Sequence, residues 1–380
     1  MEFDFTDEQI MLRKMLREFT KNEVTPRMKE MDENGFSEDL FKIMAATGIN
    51  DLAVPEKYGG AGYDYVTQAM AIYELSKGSP SIGIILDAHW KVVAQIVKYG
   101  SEEIKQRYLP RAKDELFAFC ITEPAGGSTI ESNRTTAVRT GDDWVLNGTK
   151  SWITNGGRAS VYVILAITDK EQGLDGRTTL IADTDSPGFS LGKLESTMGM
   201  RGCPIGEAIM EDCLIPDSDR LGEVNNGIEI AHEAHDTARI FMGAIAAAIQ
   251  KTALELSVEY AKERLVYGKP IADLQAIQFK IAEMAMGLLS TKLIVYQSAY
   301  MKDHDQPHTR EAATAKAFGS QLALRAADHA IQIFGGYGYS REYPVEHLWR
   351  DAKSLQIAEG SLEKLHIDIA NVALSEEARE

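Results

Sequence analysis

The sequence predicts an α+β protein built from three successive domains, of which the first and last are helical and the middle one is a small β domain. Apolar residues recur at helical spacing through residues 1–116, and short β-prone runs separated by turn residues occupy residues 117–226. Long helical patterns return over residues 227–380. A chain of 380 residues has room for two or three domains and can bury a substantial core.

The first domain is predicted to consist of helices separated by turns. Thr6-Asp7-Glu8-Gln9 matches a capping box, in which the threonine hydroxyl and the glutamine side chain bind backbone N–H groups of the first turn. Apolar periodicity predicts further helices over residues 38–46, 65–76 and 81–99.

The middle domain is predicted to be made of short strands. Runs rich in β-branched residues over 161–168, 178–184 and 207–215 are bounded by glycine, aspartate and proline. Gly141-Asp142-Asp143 and Asn147-Gly148 are both hairpin signals. Two hairpins here would bring both ends of the stretch 119–157 to one edge of a sheet.

The third domain is predicted to be a bundle of long helices. From Ile277 to Val295, apolar side chains recur at alternating steps of four and three, which is typical of a helix packed lengthwise in a bundle. Glycines at 335–338 are predicted to end the next helix. Pro344 and the segment before Glu359 are predicted to form a loop, and the last helix is predicted to end at Leu374.

Charge and cysteine content narrow the classes of function. The net charge is −17, from 40 basic and 57 acidic residues, which argues against a nucleic-acid partner because phosphate backbones bind basic surfaces. A few local arginines could still hold a phosphorylated small molecule. The three cysteines, Cys120, Cys203 and Cys213, lack the spacing of a metal site or a disulfide framework.

The same features set expectations for localisation. An odd number of cysteines fits a reducing compartment, and the acidic start of the chain does not resemble a targeting peptide. No apolar run approaches membrane-spanning length, so no membrane insertion is expected. We expect a cytoplasmic protein.

The stretch 119–157 carries the features of a site for a planar ring with hydrogen-bonding heteroatoms. Trp152 offers a flat stacking surface, and the hydroxyls of Thr122 and Thr154 can bind ring atoms. The glycine pairs 126–127 and 156–157 allow close approach of the backbone because they lack Cβ. The spacing alone does not identify the cofactor.

The motif TEP-x-x-G-S at 122–128, followed by K-x-W-I-T-N-G at 150–156, resembles the acyl-CoA dehydrogenase family, whose members are FAD-dependent. The resemblance covers essentially the whole chain. Further matching segments, in order, are VPEKYGGAG (54–62), YGSEEIKQRYLP (99–110), MGMRG (198–202), EDCLIP (211–216), ERLVYGKPIADLQAIQFKIAEM (263–284), QIFGGYGYSREYPVE (332–346) and RDAKSLQIAEG (350–360). It implies the family's fold, with an N-terminal helical domain, a middle β-barrel-like domain and a C-terminal four-helix bundle.

The resemblance also implies a reaction and a catalytic base. Family members remove the α proton of an acyl-CoA thioester and send the β hydrogen as hydride to flavin N5. The α proton is weakly acidic, so the protein must polarise the carbonyl and align base and substrate. Glu359 aligns with the family's base, and its N–H would help bind the thioester oxygen; the alternative is a solvent-facing loop glutamate. Some relatives carry the base on the earlier helix, where this chain has Ala238.

The remaining site residues are implied in the same way. Cofactor-binding positions are Ile121, Thr122, Gly127, Ser128, Trp152 and Thr154 around the flavin ring, with Arg264 and Gln275 from a neighbouring subunit and Gln332, Gly336 and Ser361 completing the set. Substrate CoA would meet Ser128, Asp236 and Arg239. Three alternatives remain open: a core role for Trp152, an ion pair between Arg264 and Glu263, and a plain helix-surface pair of Asp236 with Arg239.

Departures from the family pattern bear on the substrate. Ala358 stands where tyrosine is common, and Asp87 interrupts an apolar run, 84–90, that matches the helix lining the acyl pocket and includes Trp90. Asp87 could bind a polar substituent or act as a second acid/base, which together with Ala358 favours a bulky, branched or alicyclic acyl group. It could equally be a paired carboxylate turned toward His89. Two further departures are Thr129 after Gly127-Ser128 and Ser361 after Gly360.

The sequence therefore predicts an FAD-dependent acyl-CoA dehydrogenase for a short, branched or alicyclic acyl group. The protein is expected to be a homotetramer that passes electrons to an electron-transferring flavoprotein. Alternatives on the same fold are an acyl-CoA oxidase and an enoyl-CoA reductase. Glu359 argues against the related flavin monooxygenases, which generally lack the base. A non-catalytic, dehydrogenase-like scaffold is the alternative outside enzymes.

Overall fold

The N-terminal domain is a group of six α-helices. The computed structural model describes residues 4–375, so the outermost residues of both predicted terminal domains lie outside it. The helices are α1 (Asp7–Phe19), α2 (Met28–Asn34), α3 (Glu38–Ala46), α4 (Tyr65–Ser76), α5 (Pro80–Tyr99) and α6 (Glu102–Tyr108). The predicted capping box at Thr6 is confirmed, and α3 and α4 have the predicted bounds. Helix α5 begins one residue early, at Pro80, since proline is well suited to a first helical turn.

The middle domain is a sheet of eight strands. They are β1 (Phe117–Cys120), β2 (Thr136–Thr140), β3 (Asp143–Thr154), β4 (Val161–Ile167), β5 (Arg177–Asp183), β6 (Phe189–Leu194), β7 (Ile205–Pro216) and β8 (Arg220–Leu221). Their order is β6-β7-β3-β2-β4-β5-β8, and β1 pairs in parallel with β4. At the end of β1, the N–H of Ser151 in β3 donates to the carbonyl of Thr122 at 2.9 Å, which joins the two ends of the stretch 119–157.

One of the two hairpin predictions in this domain is wrong. Gly141 and Asp142 do form the turn between β2 and β3, with Thr140 opposite Asp143. Asn147-Gly148 instead lies inside β3, where the register against β7 shifts. Gly148 has φ +150°, and a Cβ there would lie 2.4 Å from the Thr135 hydroxyl. The glycine serves a close approach within a bulge rather than a turn.

The C-terminal domain contains five helices and a two-stranded hairpin. The helices are α7 (Gly227–Glu263), α8 (Gln275–Asp303), α9 (Thr309–Phe334), α10 (Val345–Ser354) and α11 (Leu362–Leu374), and the hairpin pairs β9 (Leu265–Val266) with β10 (Lys269–Pro270). Helices α7, α8 and α9 pack on one another, and α11 packs on α9. Gly243 permits close packing, because a Cβ there would lie 2.8 Å from Val295 Cγ2.

Two features of this domain differ from what the sequence predicts. The predicted loop from Pro344 to the segment before Glu359 contains α10, whose apolar face buries Val345, Leu348 and Ala352 among strongly polar neighbours. Within residues 4–375, α7 alone is long and apolar enough to cross a membrane, and 72% of that apolar window is buried inside the protein. Packing in the core accounts for its composition.

Candidate active site

The site is centred on Glu359, which lies on the short connection between α10 and α11. Glu359 has φ +55° and the following Gly360 has φ +97°, so two consecutive left-handed residues carry the carboxylate away from both helices. The Ser361 hydroxyl then caps α11 by accepting the N–H of Lys364 at 3.4 Å. A non-glycine residue with positive φ is uncommon and is held there by its surroundings.

Two side chains from other elements bind the Glu359 carboxylate. Lys91 Nζ, from α5, donates to Oε1 at 2.5 Å, and His235 Nδ1, from α7, lies 2.9 Å from Oε2. The Glu359 side chain is 13% exposed, which excludes a solvent-facing loop glutamate. Burial opposes its ionisation, but the Lys91 ammonium and the His235 ring outweigh burial and hold the pKa of Glu359 well below its usual range.

A second buried carboxylate, Asp87, lies one helical turn before Lys91 on α5. Asp87 is 1% exposed, and its Oδ1 has no hydrogen-bond partner within residues 4–375. Burial raises the pKa of Asp87 well above its usual value; Lys91 opposes this shift and the charge of Glu359 reinforces it. Burial lowers the pKa of Lys91, yet Glu359 and Asp87 together bring it above its ordinary value. The three groups form one buried cluster.

The proposed pairing of Asp87 with His89 does not occur. His89 Nε2 lies 2.9 Å from the carbonyl oxygen of Ala112, and the N–H of Phe117 donates to Nδ1 at 3.1 Å. Both ring nitrogens are therefore used by backbone groups. Burial lowers the pKa of His89 to about 4, which keeps the ring neutral.

Lys91 and His235 were not identified from the sequence as members of the site. Lys91 follows Asp87 by four residues, a spacing that usually marks an exposed ion pair on a helix. The sequence did contain one signal: Lys91 directly follows an apolar run that already contains the charged residue Asp87. Two charges so close to one apolar run indicate that both side chains are buried and paired. His235 carried no comparable signal, because histidines at 232 and 235 flank ordinary helical residues.

Trp90 and Ala358, the other predicted pocket residues, occupy different environments. Trp90 is fully buried, its Nε1 donates to the carbonyl of Asn50 at 2.7 Å, and its ring packs edge-on against Phe241. Those contacts account for it as a core side chain. Ala358 is half-buried and directly precedes Glu359, so its small side chain leaves room beside the carboxylate.

The predicted ring-binding residues gather where β1 and β3 end. Trp152 is 60% exposed and has φ +57°, at a register shift in β3 between Lys150 and Ile153. Because this large side chain is mostly exposed and its backbone is in an uncommon conformation, Trp152 is not an ordinary core residue. Thr122 and Thr154 are half-buried beside it, while Gly127 and Ser128 are exposed on the loop after β1. An exposed flat face with flanking hydroxyls fits a flavin ring.

The buried start of the loop after β1 is held in place by the ion pair of Lys150 with Glu123. Lys150 Nζ donates to Glu123 Oε1 at 2.8 Å and to the carbonyl of Ile121 at 3.1 Å. Glu123 also accepts the N–H groups of Arg134 and Thr135. Ile121 itself is buried, so the predicted ring-binding loop starts from an anchored residue.

Of the remaining predicted cofactor residues, Arg264 and Gly336 line a separate cleft on the helical bundle, whereas Ser361 caps α11 next to Glu359. Gln275 and Gln332 do not line this cleft, although each is adjacent in sequence to a residue that does. This cleft, of about 630 Å³, is lined by Arg264 and Gly336 among others, and by none of the residues around Trp152. Within residues 4–375 the Arg264 guanidinium forms no ion pair with Glu263 and lies 5.8 Å from the Tyr337 ring centroid. Gln275 and Gln332 are exposed at the start of α8 and near the end of α9. The Arg264 guanidinium and the uncrowded backbone at Gly336 line the same cleft, and together they could bind a pyrophosphate group.

The predicted CoA residues Asp236 and Arg239 form the pair that their spacing suggested, but inside the protein. Arg239 is 8% exposed; its Nη1 donates to Asp236 Oδ1 at 3.3 Å and its Nη2 to Asp368 Oδ2 at 3.4 Å. Arg239 also adjoins the turn that holds the base, since a Cβ on Gly360 would lie 3.7 Å from its Nη2. Lys316 donates to the Gly360 carbonyl, and burial lowers the pKa of Lys316 to about 8.

Comparison with known proteins identifies the family. Sequence models of the N-terminal, middle and C-terminal domains of acyl-CoA dehydrogenase match residues 6–115, 118–213 and 225–374. An acryloyl-CoA reductase (NADH) of Anaerotignum propionicum is 42% identical over 97% of this chain and 95% of its own. Butyryl-CoA dehydrogenase of Megasphaera elsdenii superposes with a TM-score of 0.96, at 36% identity over 99% of this chain and 100% of its own.

A third relative comes from work on the electron transferring flavoprotein of Acidaminococcus fermentans. That chain superposes with a TM-score of 0.97, at 38% identity over 99% of this chain and 100% of its own. These matches extend over all three domains of the fold. The chain belongs to the acyl-CoA dehydrogenase family and is an FAD-dependent oxidoreductase that acts on acyl-CoA thioesters.

Proposed function

We propose that Glu359 is the base that removes the α proton of the acyl-CoA substrate. The observation that carries this assignment is its placement: a nearly enclosed carboxylate on two left-handed residues, projecting between α5 and α7. The depressed pKa of Glu359 keeps it ionised at neutral pH, as a base must be. Bound FAD supplies the acceptor for the β hydrogen, which leaves as a hydride.

The backbone around Glu359 supports polarisation of the thioester. Lys316 holds the Gly360 carbonyl, and the cap at Ser361 fixes the start of α11, so the Glu359 N–H keeps one direction. A backbone donor held rigidly near the developing enolate oxygen lowers the barrier to loss of the α proton. Asp236 and Arg239 lie next to this turn and would orient the CoA portion.

For the acyl group, we propose a compact, branched or alicyclic chain. Ala358 is a small residue directly before the base, and Asp87 adds a second buried carboxyl group to the cluster around Glu359, which a simple alkyl chain would not need. The named relatives act on small acyl groups, butyryl and acryloyl, which supports the compact end of this range.

The direction of reaction has one specific alternative. The relative with 42% identity is an acryloyl-CoA reductase, so this chain could reduce an enoyl-CoA with the same residues. In that direction Glu359 returns a proton to the α carbon. An acyl-CoA oxidase is a further alternative on the same fold, and it is separated from the main proposal by the reactivity of the reduced flavin with oxygen. The family assignment argues against the non-catalytic scaffold.

The electron acceptor, the assembly and the location of the protein are also proposals. Transfer of electrons to an electron-transferring flavoprotein is supported by the relative from Acidaminococcus fermentans. Assembly as a homotetramer is supported by exposed apolar side chains along α8, namely Phe279, Met286, Leu289 and Leu293. A cytoplasmic location is proposed from the cysteine usage alone.

Anaerobic titration of the purified flavoprotein with saturated acyl-CoAs tests the proposal. The panel runs from butyryl-CoA to branched and cyclohexane-carboxyl thioesters, and we expect rapid bleaching of the flavin band with one class. Glu359→Gln is the matched control: it should retain the flavin band and bleach at least about a thousand-fold more slowly. Rapid bleaching of Glu359→Gln would overturn the assignment of the base.

A further inference from the structure

The cluster of Asp87, Lys91 and Glu359 holds one ammonium between two buried carboxylates. We infer that Lys91 is a movable counter-ion, which binds Glu359 in one arrangement and Asp87 in another, and that an acyl group entering beside Glu359 drives it from the first to the second. The inference rests on the proposed role of Glu359 as the base. Lys91 is thus a positioning residue rather than a catalytic one.

The geometry supplies both positions for the ammonium. Lys91 Nζ lies 2.5 Å from Glu359 Oε1, and Asp87 precedes Lys91 by one turn of the same helix, α5. Side chains four residues apart on a helix are neighbours, and the four-carbon stem of lysine can swing between partners. Asp87 Oδ1, buried and without a partner among the described residues, is available to receive it.

A substrate makes the exchange necessary. For proton transfer, the α carbon must come within hydrogen-bonding reach of the Glu359 carboxylate, on which Lys91 now sits. Lys91 is only 4% exposed, so its ammonium cannot simply move into water, and an unpaired buried charge is costly. Asp87 offers the compensating charge, and the proton that Asp87 carries is released to solvent as the new ion pair forms.

The other titratable groups around the cluster cannot act as the second partner of the Lys91 ammonium. They are Cys120 on β1, Cys203 before β7, His235 on α7 and Lys316 on α9. Burial raises the pKa of both cysteine thiols to about 12, so they stay neutral near pH 7. Lysine and histidine cannot neutralise an ammonium. Asp87 is therefore the one alternative partner in the described part of the chain.

A double-mutant experiment separates this role from the other roles open to Asp87. In Asp87→Asn the ammonium has no second partner and stays on Glu359, so we expect kcat to fall at least about 30-fold with a much smaller change in KM. Adding Lys91→Met removes the trapped ammonium, and kcat should recover at least about tenfold relative to Asp87→Asn alone. If Asp87 were itself the acid/base, or only a packing residue, the double variant would be as slow as Asp87→Asn or slower.

The pH dependence gives a second readout that does not rely on Asp87→Asn being well folded. Lys91→Met removes the charge that most lowers the pKa of Glu359, so the acid limb of kcat/KM should move up by at least about one pH unit. Lys98→Met, which removes an exposed lysine of α5 paired with Glu233, is the control and should leave the limb in place. An unmoved limb in Lys91→Met overturns the inference. Rapid bleaching of Glu359→Gln would instead indicate that the proposed base is wrong.

Discussion

At the scale of single residues, the two side chains that bind the proposed base, Lys91 and His235, also lower its pKa and so make it a weaker base. Glu359 is nearly enclosed, which alone would raise its pKa, yet Lys91 and His235 reverse that effect. A carboxylate with such partners is reliably ionised but weakly basic. The enzyme must therefore weaken at least one of these contacts when substrate binds, and the two contacts can be removed separately.

Removal of His235 should change the same ionisation as removal of Lys91, but less. His235→Leu deletes the contact at 2.9 Å to Oε2 and leaves Lys91 in place, so the pKa of Glu359 should rise. Because a carboxylate base is active when ionised, a higher pKa moves the acid limb of kcat/KM to higher pH. His232→Leu, one turn earlier and exposed, is the control. An acid limb that stays in place in His235→Leu would show that this contact does not set the pKa.

Prediction from the sequence was uneven at this scale for a physical reason. Glu359 and Trp152 were found because each lies in a motif whose neighbours are also constrained. Lys91 and His235 were not, because a lysine or histidine on a helix looks the same in sequence whether it faces water or a buried carboxylate. Only the packing of α5 and α7 against the turn at Glu359 distinguishes the two cases.

At the scale of elements, the N-terminus of α4 shows how the domains are joined. Asp64 caps this helix locally by accepting the N–H of Thr67 at 2.8 Å. Asp303, at the end of α8, accepts the N–H groups of Tyr65 and Val66 at 2.7 and 3.0 Å. Two carboxylates at one N-terminus complement the helix dipole, and the second is supplied across a domain boundary.

Loss of the Asp303 cap should destabilise the contact between the two helical domains. Asp303→Ala removes both acceptors and should cost about 1–3 kcal/mol of stability. Burial raises the pKa of Asp303 to about 6, so the carboxylate is still charged at pH 7.5, where melting temperatures should be compared. Asp303→Asn keeps one acceptor and is expected to fall between wild type and Asp303→Ala. Equal melting temperatures for all three proteins would contradict the proposed role of this cap.

The ends of helices and strands could be predicted where they are set by residues close in sequence, such as N-caps. Helices α3 and α4 have the predicted bounds because Ser37 and Asp64 cap them from adjacent positions. The failures occurred where tertiary contacts decide. Gly148 has the hairpin signature but serves a close approach to Thr135, and α10 is stabilised by Arg350, which binds Asp32 from a distant part of the chain.

At the scale of the whole molecule, α8 presents an apolar stripe that no other segment within residues 4–375 covers. Phe279, Met286 and Leu293 recur every seven residues and are between 48% and 62% exposed, with Leu289 on the same side of the helix. Such a stripe is typical of a helix that packs against another helix. It is the surface on which the proposed tetramer would depend.

A charge in the middle of this stripe should break the assembly. Met286→Asp places a carboxylate where a contact would bury it, so we expect a smaller species by light scattering coupled to size-exclusion chromatography. If Arg264 and Gln275 reach a cofactor held by a neighbouring subunit, the same variant should also lose FAD. Lys262→Asp, an exposed change outside the stripe, controls for the charge itself. A variant with unchanged mass would locate the assembly surface elsewhere.

The contact between Lys91 and Glu359 also bears on how the protein reaches its native state. It joins residues 268 positions apart, so it can form only after the intervening chain has been organised. Before that point both side chains are hydrated charges, and burying either one alone is unfavourable. The last step that closes the site therefore requires both helical domains together. A partly folded chain lacks the base in its working position, and catalytic activity during refolding reports completion of the whole fold rather than of any single domain.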